Sequence, residues 1–125
     1  NGILRLMNKD RYIIFHINEL LIDTEQNAEM LLTACTRSTN YKIQGLCQAD
    51  EDILVILTFC KATEVPSDIR WVDITELAIR DYSSLLKERW LSGYEAIGSV
   101  SSKDTADQKR FLLMQRPANW QNNKN

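Results

Sequence analysis

His16 is the only histidine in 125 residues, so any mechanism that needs an imidazole base must use it. It falls late in an alternating stretch, beside Tyr12 and Ile14 on one face, and Glu19 is the nearest carboxylate in sequence to set its tautomer. No nucleophile is marked by context, because Ser83-Ser84 fall within a helical pattern and Ser101-Ser102 at a hairpin end. Cys35, Cys47 and Cys60 are widely spaced, form no Cys-x-x-Cys pair, and sit at apolar-patterned positions where they read as small hydrophobes. The acidic run Asp50-Glu51-Asp52 lacks the spaced oxygen ligands and central glycine of a calcium loop and reads as a solvated turn. The glycines Gly2, Gly45, Gly93 and Gly98 are scattered and build no phosphate-binding loop. No metal or cofactor signature emerges, and the chain leans away from enzymes.

A second class of chemistry is binding. Tyr41, Tyr94, Trp71 and Trp90, with Tyr82, would line a pocket between a sheet and its helices, with His16 or Glu95 as polar anchors. The same aromatics follow helix and strand periodicity, so core packing competes with that role. The third class is association. If Ile13, Phe15 and Ile17 face the helices, then Tyr12, Ile14, Leu54 and Ile56 form an apolar patch on the other side of the sheet. Face-to-face sheet packing in a two-fold dimer would cover it, as would a partner protein or a greasy ligand, and a homodimer is the expected state. Within one chain, the segment Ile3 to Met7 or a tail carrying Trp120 would have to fold over it.

The elements that position these residues follow from pattern and punctuation. Arg11 to Ile17 alternates as a strand, and Asp23 with Gln26 starts a helix that carries Ala28, Leu31, Leu32 and Cys35 and ends near Ser38. Tyr41–Gln48 and Asp52–Lys61 form a hairpin, the second strand apolar on both faces. After a linker from Ala62 to Asp68, the segment Ile69–Val72 is extended. Asp73 with Glu76 then caps a helix whose apolar face is Ile79, Tyr82, Leu86 and Trp90, widened by Ala78 and Leu85. A second hairpin spans Tyr94–Ser101 and Arg110–Arg116, and Pro117 ends it.

The two halves repeat. Asn40-Tyr41-Lys42-Ile43-Gln44-Gly45 and Gly93-Tyr94-Glu95-Ala96-Ile97-Gly98 lie 53 residues apart, each a helix exit, a Tyr and a Gly four places on. With four Tyr and four Gly in the chain, two such matches exceed chance. Asn40 and Gly93 are therefore expected at positive φ, and Ile43 and Ala96 together on the one helix-covered face, with opposite faces for the two counting against the repeat. The predicted fold is α+β: a ferredoxin-like or related antiparallel sheet of five to six strands, both helices on one face, from a duplicated strand–helix–hairpin unit. It occupies residues 1–117 as a single domain, with a polar tail, 118–125, expected to be mobile unless Trp120 docks.

The C-terminal half, through Gly93-Tyr94-Glu95 and Phe111 to Pro117, resembles small bacterial domains of unknown function. Those domains carry Gly-Trp-Glu at the helix exit and a last strand finishing Lys/Arg-Pro or Lys/Arg-Arg; here Tyr94 replaces the Trp. The resemblance covers about 45 residues, implies a bacterial source and brings no activity with it. A tandem strand–helix–strand unit also resembles metal-dependent glyoxalase-type modules, whose His and Glu ligand set a single histidine does not supply.

Composition excludes more than it assigns. Apolar content is 44%, charged content 26% and formal net charge −2, without the basic stripe of a nucleic-acid binder. Tyr12 is the one aromatic projecting from the first strand, which argues against an RNA-reading sheet. No apolar run approaches the length of a membrane span. The cysteine usage fits a reducing cytosol, and the chain is expected to be cytoplasmic.

Overall fold

The computed structural model describes residues 2–4, 11–18, 25–36, 40–50, 52–104 and 107–120. The chain runs β1 (Gly2–Leu4), β2 (Tyr12–Asn18), α1 (Glu25–Thr36), β3 (Tyr41–Ala49), β4 (Asp52–Phe59), a 3-10 turn (Ala62–Glu64), β5 (Pro66–Asp73), α2 (Ile79–Leu91), β6 (Glu95–Asp104) and β7 (Asp107–Pro117). The α+β class and the repeated strand–helix–hairpin order match the sequence reading. The single sheet does not. The strands form two antiparallel sheets, β1-β2-β4-β3 and β5-β7-β6; without the three-residue edge strand β1 each has three strands.

The repeat extends to the irregularities. β3 slips register against β4 between Ile43 and Gly45, and β6 slips against β7 between Ala96 and Gly98, so both hairpins carry their bulge at the matched position. The two bulged strands, β3 and β6, lie side by side. Their bulges offset the backbone groups that a continuous ladder would need, and glutamine side chains bridge the edges. The Gln48 amide donates to Ser101 O at 2.6 Å and accepts from Ser101 N–H at 3.0 Å. The Gln115 amide does the same with Ile43, at 2.9 and 3.0 Å.

These staples also fix direction. Gln48 stands level with Ser101, while Ile43 stands level with Gln115 and its ladder partner Glu95, so β3 and β6 run parallel. Two equivalent strands that run parallel are related by an axis along the strands, and such an axis exchanges the faces of the sheet. The helices therefore lie on opposite faces, correcting the expectation of one shared face. Ile43 and Ala96, expected on one face, are separated with the helices: Ile43 shares its face with Leu57 on the α1 side, whereas Ala96 lines the space beneath α2, because an axis along the strands keeps the repeat while exchanging the faces.

The core belongs to α1. Leu31, Ala34 and Cys35 pack with Ile13, Phe15, Ile17, Ile53, Val55 and Leu57 of the first sheet, and with Ile69, Val100, Phe111 and Leu113 of the second. One helix thus fills the space between both sheets. α2 packs mainly on β6 and buries none of its residues.

Local punctuation matches the sequence reading at Gly93 and differs from it at Asn40 and Asp73. Gly93 has φ of 92°, and its N–H and that of Tyr94 bond Trp90 O and Arg89 O, both at 2.9 Å, a complete Schellman ending. Asn40 does not have positive φ; its carbonyl instead accepts from Cys60 N–H at 3.0 Å, which extends the first hairpin backwards. Asp73 does not cap α2. Its carboxylate binds Thr75 N–H at 2.9 Å and the Thr75 hydroxyl at 2.6 Å, closing a turn, and the helix begins after Ala78 without a side-chain cap. The expected cap at Asp23 lies outside the described residues.

Candidate functional site

The ladder β2–β4 pairs Tyr12 with Thr58, Ile14 with Ile56 and His16 with Leu54. Directly paired residues share a face, so Tyr12, Ile14, Leu54 and Ile56 do lie together, on the side of the first sheet away from α1. Tyr12 is 42% exposed, while Ile14, Leu54 and Ile56 are half-buried. α1 occupies the opposite face and α2 packs on β6, so no described helix stacks on this one. The described parts of the segments expected to fold over it go elsewhere. Gly2–Leu4 pairs edge-on with β2, residues 5–7 lie outside the described residues, and Trp120 docks on Gly93 in the second unit.

Charges frame this face. At one end His16 Nε2 meets Asp52 Oδ1 at 2.7 Å, a partner that strand pairing supplies and sequence proximity did not; Glu19 lies outside the described residues. Cys47 is exposed and pairs with Leu54, so it shares the face with His16. Leu54 stands between them, two strand spacings or about 10 Å, too far for a thiol–imidazole pair. Among the described residues no group of three His, Cys, Asp or Glu side chains is placed to hold a metal ion. At the other end Lys42 Nζ lies 3.5 Å from a Glu64 oxygen. The Lys61 N–H and the Lys42 charge hold the Glu64 carboxyl below its ordinary range. This end opens into a polar cleft of about 470 Å³ at the β3–β6 seam, lined in part by Arg11, Lys42, Gln44, Glu64 and Glu95.

No protein-family model matches the chain, and neither curated proteins nor solved structures show a significant similarity to it. The geometry of its surfaces therefore carries the functional reading.

The residues expected to line a ligand pocket are not gathered into one. His16 sits on the open sheet face. Tyr41 is fully buried, edge-on to Phe59 with ring centroids 5.9 Å apart. Trp71 packs against the main core and Trp90 stands 69% exposed on α2. Tyr94 anchors a cluster of its own: its hydroxyl donates to Asp68 Oδ2, and Arg70 Nε donates to the same oxygen at 2.7 Å. The Arg116 guanidinium lies between the Tyr94 ring, at 5.0 Å, and the Trp120 ring, at 4.9 Å. Burial pushes the Asp68 carboxyl up, but the Tyr94 and Arg70 hydrogen bonds and the Arg70 and Arg116 charges outweigh it and hold it below the usual range. Burial, and then the Asp68 carboxylate, push the Tyr94 hydroxyl up. The tail is tied down as far as Trp120, with Ala118 N–H on Val65 O at 2.7 Å and Asn119 N–H on Thr63 O at 3.1 Å.

Two features escaped the sequence reading. α2 is the more exposed apolar element: Ile79 is 87% exposed and Leu91 61%, with Leu86 also exposed, whereas that helix was expected to bury Ile79, Tyr82, Leu86 and Trp90. Of that expected face Tyr82 and Leu85 do turn to the sheet, above a hollow of about 320 Å³ that also includes Leu77, Ile97 and Leu112. No described helix is long and apolar enough to cross a membrane.

Proposed function

We propose that this domain is a non-enzymatic interaction module that self-associates through the open face of its first sheet. The supporting observation is the register of β2 on β4, which aligns Tyr12, Ile14, Leu54 and Ile56 on one face that no described helix covers. An apolar patch ringed by charge is the anatomy of an association surface. The lone His16–Asp52 pair, with no nucleophile in reach among the described residues, favours binding over catalysis. Sedimentation across concentration tests the proposal: self-association is expected by roughly tens of micromolar, and Ile56→Glu should abolish it while helix content stays unchanged. A strict monomer in that range would remove the reading.

The hollow under α2 favours a second reading, a small-molecule site. Its walls are mostly apolar, and the Arg110 guanidinium and the Ser99 and Tyr82 hydroxyls that border it make no side-chain hydrogen bond or ion pair with the described chain. Its volume of about 320 Å³ suits a small apolar anion. Calorimetric titration with decanoate and with decanol discriminates: the site predicts tighter decanoate binding, lost in Arg110→Gln, and equal or absent binding of the two eliminates it.

A further inference from the structure

The internal repeat says what should cover the open face. Matching the two bulged hairpins residue by residue, Gly45 opposite Ile56 corresponds to Gly98 opposite Leu113. Carried along the ladders, Ile14 then corresponds to Trp71, Tyr12 to Ile69 and Leu54 to Phe111. Those counterparts are not exposed. Ile69, Phe111 and Leu113 are 4%, 1% and 0% exposed, packed with Leu31, Ala34 and Cys35 of α1. In the second unit, therefore, this patch is the seat of a helix that crosses over from the first.

The reciprocal contact, α2 crossing over to the first sheet, is not made within the chain. An apolar side of α2 and the open patch are both left uncovered by the described residues. α2 carries Ile79, Leu86 and Trp90 along one side of the helix, all exposed, beside the Tyr82 and Leu85 side that faces β6. α2 and the open patch lie on the same side of the molecule, opposite α1. The Schellman ending at Gly93 and the immediate start of β6 at Glu95 hold α2 over its own sheet. The charges complement each other as well. Arg80 and Lys87 flank the apolar side of α2, exposed and without ion partners among the described residues, while the β3–β4 hairpin beside the patch presents exposed Asp50 and Asp52. Two α2 helices packed on each other would set Arg80 and Lys87 against their own copies, which disfavours that arrangement.

We propose that the missing contact is made between two copies of the chain: the Ile79–Leu86–Trp90 side of α2 from each seats on the open sheet face of the other. The inference rests on the self-association reading and adds which surface meets which. Such an exchange is isologous, with two identical contacts about a two-fold axis.

Two variants and their mixture test it by sedimentation equilibrium, with circular dichroism confirming the fold. Trp90→Glu and Ile56→Glu should each weaken self-association at least about tenfold. The Trp90→Glu chain keeps an intact sheet face and the Ile56→Glu chain an intact helix, so mixing them should form a heterodimer more readily than either forms a homodimer. Self-association untouched by Trp90→Glu would overturn the exchange and leave the sheet-face reading standing. Loss in both variants without recovery on mixing would also overturn it, and a monomeric wild type would remove both. Should Ile56→Glu not fold, Tyr12→Lys at the exposed edge of the patch replaces it with the same expected outcomes.

Discussion

Gly93 carries two constraints that no other residue type meets. Its φ of 92° disfavours any Cβ, and a Cβ built there would stand 2.4 Å from the Trp120 ring. Gly93→Ala should cost about 1–3 kcal/mol, read as a lower urea midpoint. Adding Trp120→Ala removes the clash and should leave a backbone penalty of roughly 1–2 kcal/mol; an identical loss with and without Trp120 would show that the ring yields freely. The neighbouring Asp68–Tyr94 pair sets a pH dependence at both ends. Asp68 is held below 3.8 in the native state, so its contribution is present above that value and disappears as pH falls through the lower native one. Tyr94 is held above 10.0, so its contribution is present below that value and is lost as pH climbs through the higher native one. The gap in urea midpoint between wild type and Asp68→Asn should be widest between these limits and close towards each, and a gap constant with pH would contradict the pair. Asp68 and Tyr94 are 26 residues apart, and no local pattern joined them.

At the scale of elements, the seam between β3 and β6 is held by side chains where a ladder would be expected. Gln115 is buried and satisfies both the N–H and the carbonyl of Ile43. Gln115→Ala leaves those groups unpaired and should cost about 1–3 kcal/mol. Gln48→Ala, at the exposed end of the seam, should cost less, and the reverse order in urea midpoints would place the structural staple elsewhere. The strands themselves were legible because β-branched alternation in Arg11–Ile17 and Asp52–Phe59 is a local signal. The break between the two sheets was not, because Gln48 and Gln115 differ from ordinary strand glutamines only through partners 53 and 72 residues away. α2 illustrates the same limit. Its apolar arc was visible in the sequence, but periodicity reports which side chains form a stripe and not how much of that stripe finds a partner within the chain. The candidate ligand residues scattered for a related reason: aromatic type and periodicity located Tyr41 and Tyr94 correctly after their helices, yet one fills the core and the other closes on Asp68 and two arginines.

On the scale of the molecule, the repeated Tyr-x-x-x-Gly units were the most legible feature, and the axis relating them was the least. A repeat in sequence is equally consistent with an axis across the sheet, which keeps both helices on one face, and an axis along the strands, which divides them. The Gln48–Ser101 and Gln115–Ile43 bonds select the second by setting β3 and β6 parallel. That choice has a mechanical consequence: α1 becomes the shared core of both units, so neither sheet keeps its buried face if the helix leaves. The chain should therefore unfold in one step despite its duplicated plan. Suitable reporters lie in different halves. Trp71, Trp90 and Trp120 all belong to the second unit, while Cys35 is buried in α1 of the first, where burial pushes its thiol up to about 12 and leaves it unreactive in the native state. Across a urea series, tryptophan fluorescence and pulse alkylation of Cys35 should give the same midpoint. If the Cys35 transition instead preceded the fluorescence change, the second sheet would be holding its fold without α1, and the two units would be separate cores joined only along the glutamine seam.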